Sequence, residues 1–199
     1  MTECPIEGPT WACPICGGSF SRSHRRYTCD ACGSVWPVVD GIPHFVSDVP
    51  YWGEIPEPTL SWVLEEMKTR HWKEVLSAVD EPDLARKFTF ILNLNRVNWQ
   101  YLLPAASVRT LAALCIGEGM GTTAHALAAN YATVVAVEQV LARVEFMRRR
   151  FCQDGISNVR IITTPSPTTV TISPASISPS PPQRRSMSSL LDVGGHRWS

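Results

Sequence analysis

The fold class is decided by residues 107–138, SVRTLAALCIGEGMGTTAHALAANYATVVAVE, which predict a strand, a glycine-rich turn, a helix and a second strand. Residues 111–116 are a short apolar run that stops at a glycine, as a buried strand does. The alanine-rich residues 122–129 favour a helix, and the β-branched residues 133–137 favour a strand that ends at Glu138. The order strand, helix, strand predicts an α/β fold with a parallel sheet.

Three glycines alternate through the turn, at Gly117, Gly119 and Gly121. Glycine tolerates positive φ and lets a ligand approach the backbone closely. Because the carboxyl ends of parallel strands face the ligand crevice, we expect the glycines and Glu138 to meet there. The N–H groups at the start of the helix favour a negative group, and the Glu138 carboxylate could accept hydrogen bonds from two ribose hydroxyls. The alternative is a glycine turn that binds no ligand.

The spacing of these glycines separates two cofactor classes. Dinucleotide-binding proteins use G-x-G-x-x-G, whereas this turn has G-x-G-x-G within LCIGEGMG, which disfavours a nicotinamide-dependent oxidoreductase. The spacing resembles the first motif of class I S-adenosylmethionine-dependent methyltransferases, and the resemblance extends to residues 134–138 and to GISNVRII at 155–162. It implies that the three glycines wrap the methionine part of the cofactor and that Glu138 binds its ribose.

The sequence departs from that family in its acids and in its length. The family usually has an acid two residues before the first glycine, which helps to hold the amino group of the cofactor, and this chain has Cys115 there. Thr163 and Thr164 stand where the acid that contacts the adenine is expected. The fourth strand, which would carry the substrate-side motif, is missing. The resemblance therefore implies a truncated domain of weak or no activity.

The composition changes abruptly at Thr163. Residues 163–189 are dominated by Ser, Thr and Pro, and such a segment does not bury enough apolar surface to offset its ordering entropy. Two explanations compete: a disordered tail on a shortened protein, or a shift of the reading frame that places unrelated sequence after an ancestral domain. Either way, residues 163–199 are expected to lack regular structure.

Four cysteines near the N-terminus form two C-x2-C pairs, Cys13 with Cys16 and Cys29 with Cys32. Each pair supplies two thiolates from a tight knuckle, and two knuckles close a tetrahedral Zn2+ site. Four protein ligands leave no open coordination position, so the metal is expected to be structural. So short a segment has a small core, and metal binding should supply much of its folding free energy. The alternative is a set of reduced cysteines.

The sequence VWPVVDGIP at 35–43, with the cysteine pairs ahead of it, resembles a small zinc-ribbon family. That family includes the activator subunit shared by several tRNA, rRNA and protein methyltransferases, and the ribbon also occurs fused ahead of bacterial methyltransferase domains. The resemblance implies a protein partner for the ribbon. Arg22, His24, Arg25 and Arg26 form a basic loop that could touch RNA phosphates, although such loops are more often only solvated.

Overall composition excludes some functions and favours others. The chain has 18 Lys and Arg against 18 Asp and Glu, so net charge gives no argument for nucleic acid or membrane binding. No apolar run is long enough to span a bilayer. The first ten residues, MTECPIEGPT, lack the basic and apolar regions of a signal peptide, so a cytoplasmic location is expected. In that setting the seven cysteines favour metal or free thiols over disulfides.

The region between the ribbon and the glycine stretch is predicted to be helical. Apolar residues recur at helical spacing from Thr59, and Asp80 can cap a second helix with Pro82 in its first turn. His71 is expected on a helix surface. Three tryptophans could line a substrate cleft, although aromatics at this spacing are more often core. They are Trp62, Trp72 and Trp99.

After the second strand, residues 139–153 have an amphipathic helical pattern. Its last turns carry Arg148, Arg149 and Arg150, whose charges complement the helix dipole, and Gly155 suits the position after the helix end. A third strand is predicted at 158–162.

The predicted organisation has four parts. Residues 1–49 form a zinc ribbon, 50–106 a helical connector, 107–162 a partial Rossmann-like, doubly wound domain that binds S-adenosylmethionine, and 163–199 a disordered tail. The predicted function is methyl transfer to an unknown acceptor, weak or absent because of the truncation. The alternative from another class is a non-enzymatic zinc-ribbon adaptor that binds a partner.

Overall fold

The computed structural model describes residues 11–46, 49, 51–102 and 111–164. These residues form, in chain order, an antiparallel ribbon, a group of short helices, and a three-stranded parallel sheet with two helices. The α/β prediction is confirmed at this level. Among the described helices, none combines the length and the apolar character needed to cross a bilayer.

The ribbon is a four-stranded antiparallel sheet in the order β1-β2-β3-β4. Its strands are β1 (Phe20–Arg22), β2 (Arg26–Cys29), β3 (Val35–Val39) and β4 (Ile42–Pro43). Asp40 and Gly41 join the last two strands with φ of 48° and 80°. Two consecutive positive φ angles are the geometry of a tight hairpin turn, for which Asp-Gly is a preferred pair.

Over residues 51–102 the connector contains three short α-helices and a 3-10 segment that is kinked at Val97. They are α1 (Glu57–Glu66), α2 (Trp72–Ser77), α3 (Pro82–Ile91) and the 3-10 helix Leu94–Leu102. One prediction is wrong in detail. Glu81, and not Asp80, is the N-cap residue of α3. His71 is the N-cap residue of α2, where its Nδ1 accepts the Lys73 N–H at 3.3 Å, so its side chain has a structural role.

The parallel sheet has the order β5-β6-β7. In chain order its elements are β5 (Ala112–Ile116), α4 (Thr122–Ala128), β6 (Thr133–Val137), α5 (Leu141–Gln153) and β7 (Val159–Ile162). The strand, turn, helix, strand prediction is confirmed. Gly155 ends α5 with φ of 66°, and the Ile156 N–H donates to the Phe151 carbonyl at 2.8 Å, which is a glycine-based helix stop.

The two faces of the sheet are covered by different parts of the chain. Alternate residues of β6, such as Val134 and Ala136, pack with α4 and α5 on one face. The residues between them, Val135 and Val137, pack with aromatic side chains of the ribbon on the other face. Those aromatics include Trp11, Tyr27 and Phe45. The near-continuous apolar sequence of β6 follows from burial on both faces.

The ribbon also extends the sheet beyond the edge of β7. Thr163 forms a parallel bridge with His44, its carbonyl accepts the Phe45 N–H at 2.9 Å, and its N–H donates to the Pro43 carbonyl at 3.2 Å. Thr163 and Thr164 are buried. The predicted start of the tail at residue 163 is therefore wrong, because these two residues belong to the fold. Residues 165–199, the rest of that segment, lie outside the described residues.

The opposite edge of the sheet is different. Within the described ranges, no strand pairs with the outer edge of β5. Leu114 and Ile116 lie on the same face of the sheet that the ribbon covers at β6 and β7, and they are 43% and 55% exposed. The ribbon aromatics thus cover β6 and β7 but leave β5 with an apolar surface.

The three arginines near the end of α5 make tertiary contacts that the dipole explanation does not include. Arg150 is buried; its Nη1 donates to the Met120 carbonyl at 3.0 Å, and its guanidinium lies 4.9 Å from the centre of the Trp72 ring. Burial lowers the pKa of Arg150 to about 10. Arg148 and Arg149 both pair with Glu145 of the same helix. In addition, Arg149 Nη1 donates to the Leu64 carbonyl of α1, and Arg148 Nη2 lies 3.7 Å from Asp40 Oδ2 of the ribbon. The triplet therefore ties α5 to the glycine turn and to the connector.

Candidate functional site

Four cysteine sulfur atoms of the ribbon converge on one point. The Sγ atoms of Cys13, Cys16, Cys29 and Cys32 all lie within 4.8 Å of one another. The Cys13–Cys32 distance is 3.7 Å and the Cys16–Cys29 distance is 3.4 Å. Tetrahedral Zn2+ with Zn–S bonds of about 2.3 Å requires sulfur atoms about 3.8 Å apart. The four side chains therefore fit a structural zinc ion.

The local backbone explains how each knuckle forms. Gly17 and Gly33 have φ of 74° and 71°, and each donates its N–H to the carbonyl of the first cysteine of its pair, at 2.8 Å and 3.0 Å. Ser34 is a contact that the sequence pattern does not predict. Its Oγ lies 3.3 Å from Cys13 Sγ and 3.1 Å from Cys32 Sγ, and its hydrogen bond lowers the pKa of the Cys32 thiol.

A second site lies at the carboxyl end of the parallel sheet. A crevice of about 400 Å³ runs between the glycine turn and the connector. Gly117, Glu118 and Gly119 line one wall, and Trp52 and Trp99 line the other. Openings of this size are typical of small-molecule sites.

The connector wall of the crevice is held in place from α5. The Arg143 guanidinium lies 4.9 Å from the centre of the Trp52 ring, and its Nη2 lies 3.8 Å from Glu54 Oε2. A Cβ at Gly53 would overlap the Arg143 guanidinium, so any side chain there would require that guanidinium to move. These residues carry no recognisable motif, so the sequence does not predict their place in the site.

The three turn glycines do not share one environment. Gly117 and Gly119 line the crevice, with φ of 68° and 63°. Gly121 has φ of 84° and faces the core, where a Cβ would lie 2.6 Å from Phe151 Cζ and 2.8 Å from Met147 Cγ. The structure thus places two of the predicted glycines at the crevice and the third at a tight packing point.

Glu138 lies beside the turn, as its position after β6 predicts. It is buried, and its carboxylate accepts three backbone hydrogen bonds, from Gly119 at 2.7 Å, Gln139 at 2.9 Å and Val140 at 2.9 Å. A carboxylate has about four acceptor positions. Most of its capacity is therefore used to hold the turn against the end of β6, and little is left for a pair of ribose hydroxyls. Its contact with a cofactor stays a prediction.

Replacing Glu138 with alanine is expected to destabilise the protein without any ligand. Three backbone N–H groups would lose their acceptor, and a buried unpaired donor costs about 1–3 kcal/mol. We expect the free energy of unfolding in urea to fall by at least that amount. The matched control is Glu65→Ala, an exposed residue of α1, which should change it by less than about 0.5 kcal/mol. Equal stability of both variants would contradict the anchoring role of Glu138.

The start of α4 is occupied by a side chain of the turn itself. Glu118 Oε1 accepts the Ala124 N–H at 2.6 Å. The sequence predicts that the N–H groups at the start of this helix attract a negative group, and here the Glu118 carboxylate of the protein itself is that group. A ligand anion would therefore have to compete with Glu118 for these N–H groups. Burial raises the pKa of the Glu118 carboxyl to about 7.

Two of the three connector tryptophans lie away from the crevice. Trp99 lines it and is 50% exposed. Trp72 is buried in the connector core, where its Nε1 donates to Asp154 Oδ1 at 3.0 Å, and Trp62 is exposed on α1. The cleft interpretation is therefore supported only for Trp99.

Comparisons with known proteins assign no family to this chain. Its sequence matches none of the protein-family models and none of the curated proteins with which it was compared. The function is therefore argued from the residues of the two sites.

Proposed function

We propose that this chain combines a structural zinc ribbon with the cofactor-binding half of a class I S-adenosylmethionine-dependent methyltransferase domain. One observation carries the proposal. The glycine turn after β5 and Glu138 after β6 meet through the Gly119–Glu138 hydrogen bond, beside a crevice at the carboxyl edge of a parallel sheet. Open parallel sheets bind their ligands at this edge.

The residues of the crevice would bind and orient the reactants. S-adenosylmethionine supplies a methyl group on a sulfonium; an acceptor lone pair takes the methyl carbon while the electrons of the broken C–S bond stay on sulfur. The close backbone approach at Gly117 and Gly119 would position the ligand, and Trp52 and Trp99 would shield it from water. Such chemistry depends mainly on alignment, and we assign no catalytic base.

Weak or absent turnover is part of the proposal. The outer edge of β5 has no strand partner in the described residues, and this is the position of the strand that would carry the substrate-side motif. Thr163, which follows β7 where the adenine-side acid is expected, is engaged by the ribbon backbone. The binding site for a methyl acceptor would therefore be incomplete.

The purified chain is expected to bind S-adenosylmethionine measurably and to transfer its methyl group at a negligible rate. Isothermal titration measures the first, and transfer of labelled methyl to protein, RNA or small-molecule pools measures the second. Absence of binding would contradict the cofactor assignment. Robust methyl transfer with no partner added would contradict the truncation.

A non-enzymatic adaptor is the second proposal, and the exposed apolar residues of β5 favour it. Leu114 and Ile116 lie beside an unpaired strand edge, and such edges readily accept a strand from another chain. In this case the ribbon and the sheet would serve as a binding scaffold. The titration with S-adenosylmethionine separates the two proposals, because an adaptor would give no heat of binding.

A further inference from the structure

The hairpin that joins β1 to β2 carries four basic side chains within five residues. Arg22, His24, Arg25 and Arg26 are all exposed. Residues 22–26, called the basic tip below, have the sequence RSHRR, which contains no acid and no apolar residue. The tip therefore adds nothing to the core of the ribbon.

The backbone of the basic tip is fixed by hydrogen bonds. The Ser23 N–H donates to the Arg26 carbonyl at 2.9 Å, and the Ser23 hydroxyl donates to the same carbonyl at 3.3 Å. The Val38 N–H of β3 donates to the Arg25 carbonyl at 2.8 Å, which ties the tip to the next hairpin. Because this backbone is already ordered, a ligand that binds the side chains would order little additional chain.

The positive charge of the basic tip is not balanced within the ribbon. Among the described residues, none of the three arginines of the tip takes part in an ion pair. The two acids of the ribbon have other partners. Asp30 accepts the hydroxyls of Ser19 and Ser21, and Asp40 lies 3.7 Å from Arg148 Nη2. The guanidinium groups of the tip are therefore available to an external anion.

The basic tip lies outside the crevice, at the far end of a row of paired residues that crosses the sheet. Arg26 pairs with Pro37, whose carbonyl accepts the His44 N–H, and His44 forms the bridge to Thr163. From there the row continues past the ends of β6 and β5 to the glycine turn. Steps of about 4.8 Å between neighbouring strands place the tip about 24 Å from that turn.

The chemistry of the basic tip fits phosphate groups along one strand of nucleic acid. A guanidinium binds a phosphate through two parallel hydrogen bonds, which the ammonium of lysine does not provide. Arg22 pairs across the hairpin with Tyr27, the residue after Arg26, so the two arginines lie about 5–8 Å apart. A membrane surface fits less well, because the tip has no apolar side chain to enter the bilayer.

We propose that the basic tip is an RNA-binding surface that contacts the phosphate backbone of a single strand. The inference goes beyond the proposed function and does not depend on S-adenosylmethionine. Loops, bulges and ends are the parts of RNA that proteins bind as single strands. Contacts to phosphates position such a strand without reading its bases, so binding at the tip should be independent of base sequence.

Fluorescence anisotropy of a labelled oligouridine RNA, titrated with the full chain purified without chelator, measures this binding. We expect a dissociation constant of about 1–100 µM near physiological salt. Three phosphate contacts predict that the logarithm of the affinity falls by about 2 for each tenfold rise in salt, which is a loss of about twentyfold between about 50 mM and about 200 mM.

The test variant carries Arg25→Gln and Arg26→Gln, which remove two charges but keep the backbone that forms the hydrogen bonds of the tip. We expect it to bind oligouridine about tenfold or more weakly at about 50 mM salt, with the salt dependence reduced to about a third. The matched control carries Lys68→Gln and Arg86→Gln, which remove two charges from exposed positions of the connector. The control should bind oligouridine like the wild type.

Several results would overturn the inference. They are wild-type protein that does not bind oligouridine, binding that salt does not weaken, and a loss of affinity as large in the control as in the test variant. Tighter binding to phosphatidylserine vesicles, to polyglutamate or to oligothymidine DNA would assign the tip to another partner and would overturn it as well.

A second variant keeps the test decisive if the glutamine variant does not fold, as judged by circular dichroism. Arg25→Lys with Arg26→Lys retains the charge but not the paired hydrogen bonds to phosphate. It should keep the salt dependence and bind about threefold more weakly, and an affinity equal to that of the wild type would contradict the assigned contact. None of these results depends on whether the crevice binds S-adenosylmethionine, so the proposed function is tested separately.

Discussion

Protein purified without chelator is expected to carry one Zn2+ per chain, and removal of that ion should unfold the ribbon. Residues 11–46 have a small core built around a few aromatic side chains. Structural zinc sites contribute about 10–16 kcal/mol of apparent binding free energy near neutral pH, which is folding free energy for a segment of this kind. Elemental analysis measures the metal content, and circular dichroism before and after chelation measures the loss of structure.

Removal of zinc should also destabilise the parallel sheet, because residues of the ribbon and of the sheet pack together in one hydrophobic cluster. Phe45 packs with Val135, Val137 and Ile162, so unfolding of the ribbon exposes one face of β6 and β7. A Cys29→Ser variant should lose zinc and aggregate, whereas Cys152→Ser, which changes an exposed cysteine outside the cluster, should keep both metal and stability. Full stability of the Cys29→Ser protein, or wild-type protein without zinc, would show that the four thiols are not a metal site.

The Gly121→Ala substitution is expected to lower the free energy of unfolding by about 2–5 kcal/mol. Two costs combine: a φ of 84° strains any residue with a Cβ, and the new methyl would overlap Phe151 Cζ and Met147 Cγ. Urea unfolding followed by tryptophan fluorescence measures the change.

Gly117→Ala is the matched control for that substitution. Gly117 has φ of 68°, but nothing lies within 4 Å of the position of its Cβ. Only the conformational cost of about 1–2 kcal/mol is therefore expected. If both variants lose the same stability, the packing of Gly121 against α5 does not determine the geometry of the turn.

The strands and the cysteine cluster could be predicted from sequence alone, because each depends on residues that are close together in the chain. The strands at 112–116 and 133–137 follow from short apolar or β-branched runs, and the four-cysteine cluster follows from the spacing of two knuckles. In both cases the signal lies within a few neighbouring residues. The predicted strand 133–137 has the bounds of β6, and the strand predicted at 111–116 begins one residue before β5. The helix ends of the connector were harder to predict, because they depend on capping side chains such as His71, which holds the first turn of α2.

The contacts that shape the crevice could not be predicted in the same way, because they join distant parts of the chain. Trp52 reaches the site through Arg143, and neither residue belongs to a motif. Glu118 occupies the start of α4, which the sequence suggested for a ligand anion. A doubly wound fold covers both faces of its sheet with helices, whereas here the ribbon covers the second face.

The bridge between the ribbon and β7 has a consequence for the order of events on the ribosome. The Thr163 hydroxyl and the Pro43 carbonyl that it contacts are 120 positions apart in the chain, so the ribbon leaves the exit tunnel long before its docking edge exists. The ribbon can bind metal and fold early, but its aromatic side chains stay exposed to solvent until β6 and β7 have been synthesised. Closing so long a loop has an entropic cost that only the final contacts offset. Docking of the ribbon onto the sheet should therefore be the last step of folding. Just before that step, the nascent chain should be most prone to bind chaperones and most susceptible to proteases.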